Sequence, residues 1–250
     1  MRSIPLLLAK LTMVFVAACS SHKLPSAAEI ATVPTSRGEF SVGIFPAAHP
    51  ARGLVLLASG DGGWTDFEEK ISRTLAERGF SVAGWDCRKY ADLGTYDRAR
   101  LLEDANAALA QAAKSVEEKN LPILLVGFST GAEQVVALAS GEDRPASLAG
   151  LLVMAPGDRG RYGITLSDLM GLPPTGPDTF ALKDLRKGLK GLRIYQIHGE
   201  HDPLDQTEWL DGLGVPHQLA VYPDGWHQFK GGPPDFLAMV AAGASWILND

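Results

Sequence analysis

Cysteine is almost missing from this sequence: Cys19 and Cys87 are the two thiols in 250 residues. A scaffold stapled by several disulfides is excluded, and once Cys19 takes another role Cys87 has no partner. Positive charge is also short, with 23 lysines and arginines against 29 aspartates and glutamates and a net charge of −6. That balance argues against nucleic-acid binding, which needs a basic stripe or patch. No apolar run has the length of a membrane-spanning helix, since the N-terminal one ends at Cys19. There is no internal repeat, and no nucleotide-binding glycine pattern at the first strand-to-helix turn. What is present is an ordinary globular composition, 46% hydrophobic and 21% charged, over a length that suits one α/β domain.

The N-terminal segment reads as a bacterial secretory signal. Arg2 and Lys10 flank and interrupt an apolar stretch that continues from Leu11 to Ala18. Val16-Ala17-Ala18-Cys19 resembles the lipobox of bacterial lipoproteins, in which the cysteine becomes the diacylated N-terminus. A plain signal peptide cut near the same place is the alternative. Ser20 follows the cysteine, and the lack of Asp there resembles lipoproteins sent to the outer membrane. Cleavage removes Arg2 and Lys10 and no acid, which takes the net charge from −6 to −8. The expected organisation is a signal peptide at 1–18, a flexible Ser/Ala/Pro-rich tether at 19–36 and a catalytic domain at 37–250. The protein is thus expected in the periplasm, held to a membrane, the outer one, by a lipid on Cys19.

Beyond the tether, strand and helix patterns alternate. Strands are expected at Phe40–Phe45, Gly53–Ser59, Phe80–Trp85, Leu121–Val126, Ala149–Ala155, Leu192–Ile197 and Gln218–Tyr222. The continuous apolar run GLVLLAS at 53–59 is the kind a buried parallel strand needs. Helical spacing marks Asp66–Arg78, Tyr96–Lys119, Thr130–Ser140 and Phe236–Leu248, and a further helix is expected between the last two strands. Gly157–Lys190 is irregular and rich in Gly and Pro, and reads as an insertion or small cap over one end of the sheet. Alternation of this kind implies a mostly parallel central sheet with helices on both faces and a ligand site at the carboxyl ends of the strands. Only together with the Ser, Asp and His positions that follow is it expected to be the α/β-hydrolase fold.

Gly127-Phe128-Ser129-Thr130-Gly131 matches G-x-S-x-G and lies between a buried strand and a helix, as that motif requires. A sharp turn there exposes the Ser129 hydroxyl, and the flanking glycines avoid clashes that a Cβ would cause. A serine hydroxyl is a weak nucleophile until a base takes its proton, and the base needs an orienting group. His227, just after the last strand, is the candidate base. Asp202, in the turn Gly199-Glu200-His201-Asp202-Pro203, is the favoured acid over Glu200 and Asp205. His198 and His201 beside Asp202 do not have the helical spacing of a zinc site, so no metal is expected. One oxyanion donor is expected from the Thr130 backbone amide at a helix N-terminus. The other is expected from Asp61 or Gly62 in the glycine-rich loop Ser59–Trp64. Cys87 reads as structural.

Ser59–Trp64 (SGDGGW), Gly84–Asp86 (GWD), Gly127–Glu133 (GFSTGAE), HGEHDP and the late GWH together resemble the VirJ/AcvB bacterial virulence-protein family. The resemblance spans about Gly53 to Phe229. It implies an exported hydrolase of the aminoacyl ester of alanyl- or lysyl-phosphatidylglycerol, with no cofactor; some relatives are linked instead to secretion. Such a substrate carries an ammonium near the scissile carbonyl, so a carboxylate beside the oxyanion loop is expected to meet it. Asp61 is the first candidate and Glu133 the second, with Trp64 as a further substrate contact. Another lipid or acyl esterase or thioesterase shares these catalytic residues, and a non-catalytic periplasmic binding or secretion factor shares the fold.

Overall fold

The computed structural model describes residues 29–48 and 50–249. The lipobox cysteine Cys19 and residues 1–28 as a whole lie outside the described residues. Among the described residues, ten strands and seven α-helices follow one another in a largely alternating order. They are β1 (Glu29–Thr35), β2 (Gly38–Phe45), β3 (Gly53–Ala58), α1 (Asp66–Glu77), β4 (Phe80–Trp85), α2 (Cys87–Asp92), α3 (Arg98–Ala113) and β5 (Ile123–Phe128). Then come α4 (Thr130–Ala139), β6 (Leu148–Met154), β7 (Arg159–Arg161), α5 (Leu166–Leu169), β8 (Thr179–Ala181), α6 (Leu182–Leu185), β9 (Arg193–Gly199), β10 (His217–Tyr222) and α7 (Pro234–Leu248).

Eight strands form one sheet in the order β1-β2-β4-β3-β5-β6-β9-β10. β1 pairs antiparallel with β2 and β2 antiparallel with β4, while the remaining six strands run parallel. Every residue of β3, β4 and β5 is buried, which is why these stretches are continuously apolar rather than alternating. The core has two halves, one on each face of the sheet. Leu56, Leu101, Leu109, Leu125 and Val135 belong to the half that α3 and α4 cover. Leu57, Ile71, Val126, Ile197 and Phe236 belong to the half under α1 and α7.

Four expectations from the sequence are corrected. The tether was expected to reach residue 36, but Glu29–Thr35 pairs residue by residue with Gly38–Ile44 as an edge strand, with Val33 buried. The helix expected from Tyr96 to Lys119 runs from Arg98 to Ala113, because Asp97 caps it through the Arg100 N–H at 2.9 Å. The short helix α2 ahead of it, capped by Asp86, was not anticipated. Between β9 and β10 the expected helix is a single 3₁₀ turn at Glu208–Leu210. It is pinned by the Trp209 indole N–H donating to Gln196 Oε1 at 2.8 Å. The 157–190 segment folds into a small two-stranded antiparallel sheet, β7 with β8, with the short helix α5 between the strands. Among the described residues, no helix is long and apolar enough to cross a membrane.

Candidate active site

Three strand ends bring the chemistry together. β5 runs into Ser129, β9 into the turn carrying Asp202, and β10 into the loop carrying His227. All three lie at the carboxyl edge of the sheet, where the open crevice of an α/β fold is found. Ser129 Oγ is 2.9 Å from His227 Nε2, and His227 Nδ1 is 2.7 Å from Asp202 Oδ2. With its ring proton on Nδ1, His227 donates to the carboxylate and accepts from the serine hydroxyl. That relay is the geometry a serine nucleophile needs, and it joins residues 98 positions apart in the chain.

The turn at Ser129 is strained in a defined way. Its φ of 51° and ψ of −124° fall where non-glycine residues are rarely found, at a cost of about 1–3 kcal/mol. The strain is held by packing: Ser129 N–H donates to Met154 O at 2.9 Å, which fastens the elbow to β6. The glycines of the motif have specific neighbours. A Cβ on Gly127 would lie 2.5 Å from Gly131 O, and one on Gly131 would lie 2.4 Å from both Ala58 O and Ser59 O. Either side chain would push helix α4 off the sheet end.

Three acids of the 199–205 turn divide its tasks. Asp202 is buried, which pushes its pKa up. The His227 hydrogen bond and charge, with the backbone N–H groups of Leu204 and Asp205, outweigh this and leave it below the usual carboxylate value. Asp205 accepts from Gly199 N–H at 3.0 Å and Gln196 Nε2 at 2.9 Å, bracing the end of β9, and burial pushes it up to about 8. Glu200 accepts from the Asp224 N–H at 3.0 Å and so ties the Asp202 turn to the His227 loop. The choice of Asp202 over Glu200 and Asp205 is therefore the one the geometry makes. His198, His201 and Asp202 do not converge on one point. His198 Nδ1 lies 3.0 Å from Asp205, while His201 faces Asp224 on the exposed surface.

The relay opens into a cavity of about 330 Å³. It is lined by Asp61, Ser129, Thr130, Glu133 and His227 together with Asp158, Arg159, Asp168 and residues of the 169–174 stretch. Thr130 is the first residue of α4, so its N–H has no partner within the helix and faces the turn beside Ser129. Gly60 packs against the elbow, since a Cβ there would be 3.5 Å from Ser129 Cβ. Asp61 is half-buried: desolvation raises its pKa, while hydrogen bonds from its own and the Gly62 backbone N–H lower it in part. Both alternatives for the second oxyanion donor, the Asp61 and Gly62 amides, therefore hydrogen-bond to the Asp61 carboxylate in the substrate-free site. Glu133 is fully buried at the cavity wall rather than in solvent. It accepts from Gly157 N–H at 3.0 Å, and desolvation, with Asp168, Asp61 and Asp158 nearby, pushes it up to about 8.

Trp64, expected as a substrate contact, does not line this cavity and is a correction. Its ring stacks on Phe45 at 6.1 Å and lies over Gly84, where a Cβ would be 2.4 Å from Trp64 Cη2. The SGDGGW and GWD segments thus interlock, Ser59 N–H donates to Trp85 O at 2.9 Å as a second tie between them, and Ser59 Oγ accepts from the Cys87 N–H just beyond at 3.0 Å. Cys87 is fully buried with its thiol pushed well up by burial and by Asp86, as a structural residue should be. Two residues were missed from the sequence. Glu68 is buried in α1 and accepts from Thr65 N–H at 2.9 Å, from Thr65 Oγ1 at 2.6 Å and from the Gly60 backbone, which shapes the loop before Asp61. Its only sequence signal is the Thr65–Glu68 capping-box spacing. Asp168, which lines the cavity, accepts from Thr165 N–H at 2.6 Å and pairs with Arg161 at 3.3 Å.

A mostly parallel sheet of this order, with a serine elbow after β5 and acid and histidine after the last two strands, defines the α/β-hydrolase class. Solved structures agree on the fold. The esterase domain of a Rhodothermus marinus protein aligns at a TM-score of 0.62 with 16% identity, covering 88% of this chain and 98% of that one. A thermostable carboxyl esterase from Bacillus coagulans aligns at 0.67 with 18% identity, covering 89% and 98%. A membrane phospholipase A described as a bacterial virulence factor aligns at 0.66 with 13% identity, covering 89% and 87%. More particularly, the chain belongs to the VirJ family of bacterial virulence proteins, whose family model matches residues 53–236. No curated protein sequence matches it.

Proposed function

We propose that this protein is an exported serine hydrolase that cleaves the aminoacyl ester of alanyl- or lysyl-phosphatidylglycerol. One observation carries the reading: the Ser129–His227–Asp202 relay opens into a cavity that Asp61 and the buried Glu133 line together with the serine. His227 takes the hydroxyl proton as Ser129 attacks the ester carbonyl, and Asp202 holds the ring in place and stabilises the imidazolium. The oxyanion rests on the Thr130 amide and the Asp61–Gly62 amides. The substrate ammonium meets the Asp61 carboxylate and draws it off those amides as it binds. Protonated His227 gives its proton to the leaving glycerol oxygen, and water then releases the amino acid from the acyl-enzyme. None of these steps calls on a metal or an organic cofactor.

A lipid rather than a small soluble ester is supported by the rim. Leu169, Leu172 and Leu204 line the cavity and are exposed, and Trp226, next to the base, is 62% exposed. The same leucines favour a second reading, hydrolysis of fatty acyl esters, for which the carboxyl groups of Asp61 and Glu133 in the cavity lining give no reason. A lipid on Cys19 would hold the domain at a periplasmic membrane surface close to such substrates.

The test is hydrolysis of purified alanyl- and lysyl-phosphatidylglycerol beside Ser129→Ala. The variant should keep its fold by circular dichroism and lose about 10⁴-fold or more in kcat. Turnover unchanged by the substitution would remove Ser129 from the mechanism. If the wild type releases no amino acid but a fluorophosphonate still labels Ser129, the hydrolase stands and the substrate does not. No labelling at all would favour a binding or secretion factor.

A further inference from the structure

Next to the catalytic cavity lies a second one of about 340 Å³, and the two share Asp158, Arg159 and Gln206. Charge reverses across that shared wall. The catalytic cavity is lined by the carboxylates of Asp61, Asp158 and Asp168, with Glu133 protonated at neutral pH, against the single arginine Arg159. On the far side Arg159 is joined by Lys183 and Arg186, with Asp158 and Glu208 as the acids present. The cations are held by the small cap. Arg159 starts β7 and donates to Thr179 Oγ1 of β8 at 2.8 Å, and Arg186 donates through Nε to Lys183 O at 2.8 Å. Lys183 is exposed and makes no ion pair among the described residues.

We infer that this second cavity binds a phosphodiester, with Arg159 and Lys183 as its main ligands, while the ester of the same molecule lies at Ser129. The inference rests on the reading of the substrate as an aminoacyl phospholipid and adds a subsite to it. Such a molecule is bipolar: an ammonium on one side of the scissile ester and a phosphodiester a few bonds away on the other. A surface that is acidic on one side of Arg159 and more basic on the other matches that order. Arg159 presents a planar fork suited to two phosphate oxygens, and Lys183 adds a point charge. Arg186, tied to the Asp211 carbonyl as well, supports the wall and gives long-range charge.

The test compares two substrates in wild type and Lys183→Glu, a substitution at an exposed position that leaves the core alone. One substrate is alanyl-phosphatidylglycerol; the other is 1-alanylglycerol, which has the same ester and no phosphate. The expected result is a KM raised about tenfold on the lipid, with kcat and the phosphate-free KM unchanged. Arg159→Gln, which also touches the catalytic cavity, should raise KM on the lipid more than on the phosphate-free ester, and Arg159→Lys should recover part of that difference. Equal effects on both substrates, or none, would overturn the subsite. If the wild type hydrolyses neither ester, the substrate reading fails, and titration with glycerophosphoglycerol followed by NMR decides the subsite alone. Saturable binding lost in Lys183→Glu keeps it; no binding, or binding no tighter than that of inorganic phosphate, overturns it as a phosphodiester site.

Discussion

Glu133 is an acid that spends neutral pH protonated, and it links the stability of the fold to pH. Its folded pKa of about 8 lies above the ordinary glutamate value of 4.5 that returns once the chain unfolds. Between these values the unfolded chain has lost the proton and the folded chain keeps it. Stability therefore falls as pH rises through that window, by up to about 1.4 kcal/mol per pH unit from this group, and levels off above it. Glu133→Gln keeps an oxygen for the Gly157 N–H and removes the titration. Chemical denaturation should find the variant close to the parent near pH 5 and increasingly more stable than it towards pH 8. Asp205, pushed up in the same way, leaves a residual slope in both proteins. Asp202 acts in the opposite direction, since its lowered pKa gives stability that is lost as the solution is acidified through it. At this scale the sequence was a good guide to Ser129 and His227, because motif and strand-end position are local signals. It did not separate the burial of Glu133 from exposure, because one carboxylate on a helix reads alike whether a cap covers it or not. Trp64 misled for a related reason: nothing local says that Gly84, twenty positions on, leaves room for its ring.

Among the elements, α1 ties stability to catalysis. Its capping box makes Glu68 hold Thr65 and, through Gly60, the loop that carries Asp61 and Gly62. Glu68→Ala should cost about 1–2 kcal/mol in unfolding free energy from the lost cap. It should also lower kcat more than it raises KM, because the oxyanion amides lose their support while the cavity walls remain. Loss of stability with unchanged kcat would make the cap purely structural. The buried strands β3, β4 and β5 were legible from their continuous apolar runs, and α4 and α7 from their spacing. The 3₁₀ turn after β9 was not, since a Trp–Gln hydrogen bond within the fold, not a local pattern, sets it. α2 is six residues long, too short for a periodic signal.

For the whole molecule, the N-terminal boundary of the domain matters most. β1 has one buried residue, Val33, paired with Phe40 of β2, and its other positions are exposed or half-buried. That composition resembles a linker, which is why it read as tether. A protein beginning at residue 37 should be less stable than one beginning at residue 29 by about 2 kcal/mol or more. The loss comes from the burial of Val33 and the strand pairing that covers the β2 edge. Thermal melts of the two would show it, and equal melting temperatures would return β1 to the tether. The parallel sheet and its crevice were legible from alternation alone, whereas this edge depends on pairing that leaves almost no hydrophobic trace.

The contact of Trp64 with Gly84 also has a consequence for descent. Neither position can change first without cost: a side chain at 84 meets the indole, and loss of the indole leaves a gap over Phe45. Across the family the two positions should be inherited as a pair. A residue larger than glycine at 84 should appear only in members that have already given up tryptophan at 64, so the order of substitutions along a lineage is fixed by one ring lying on one backbone.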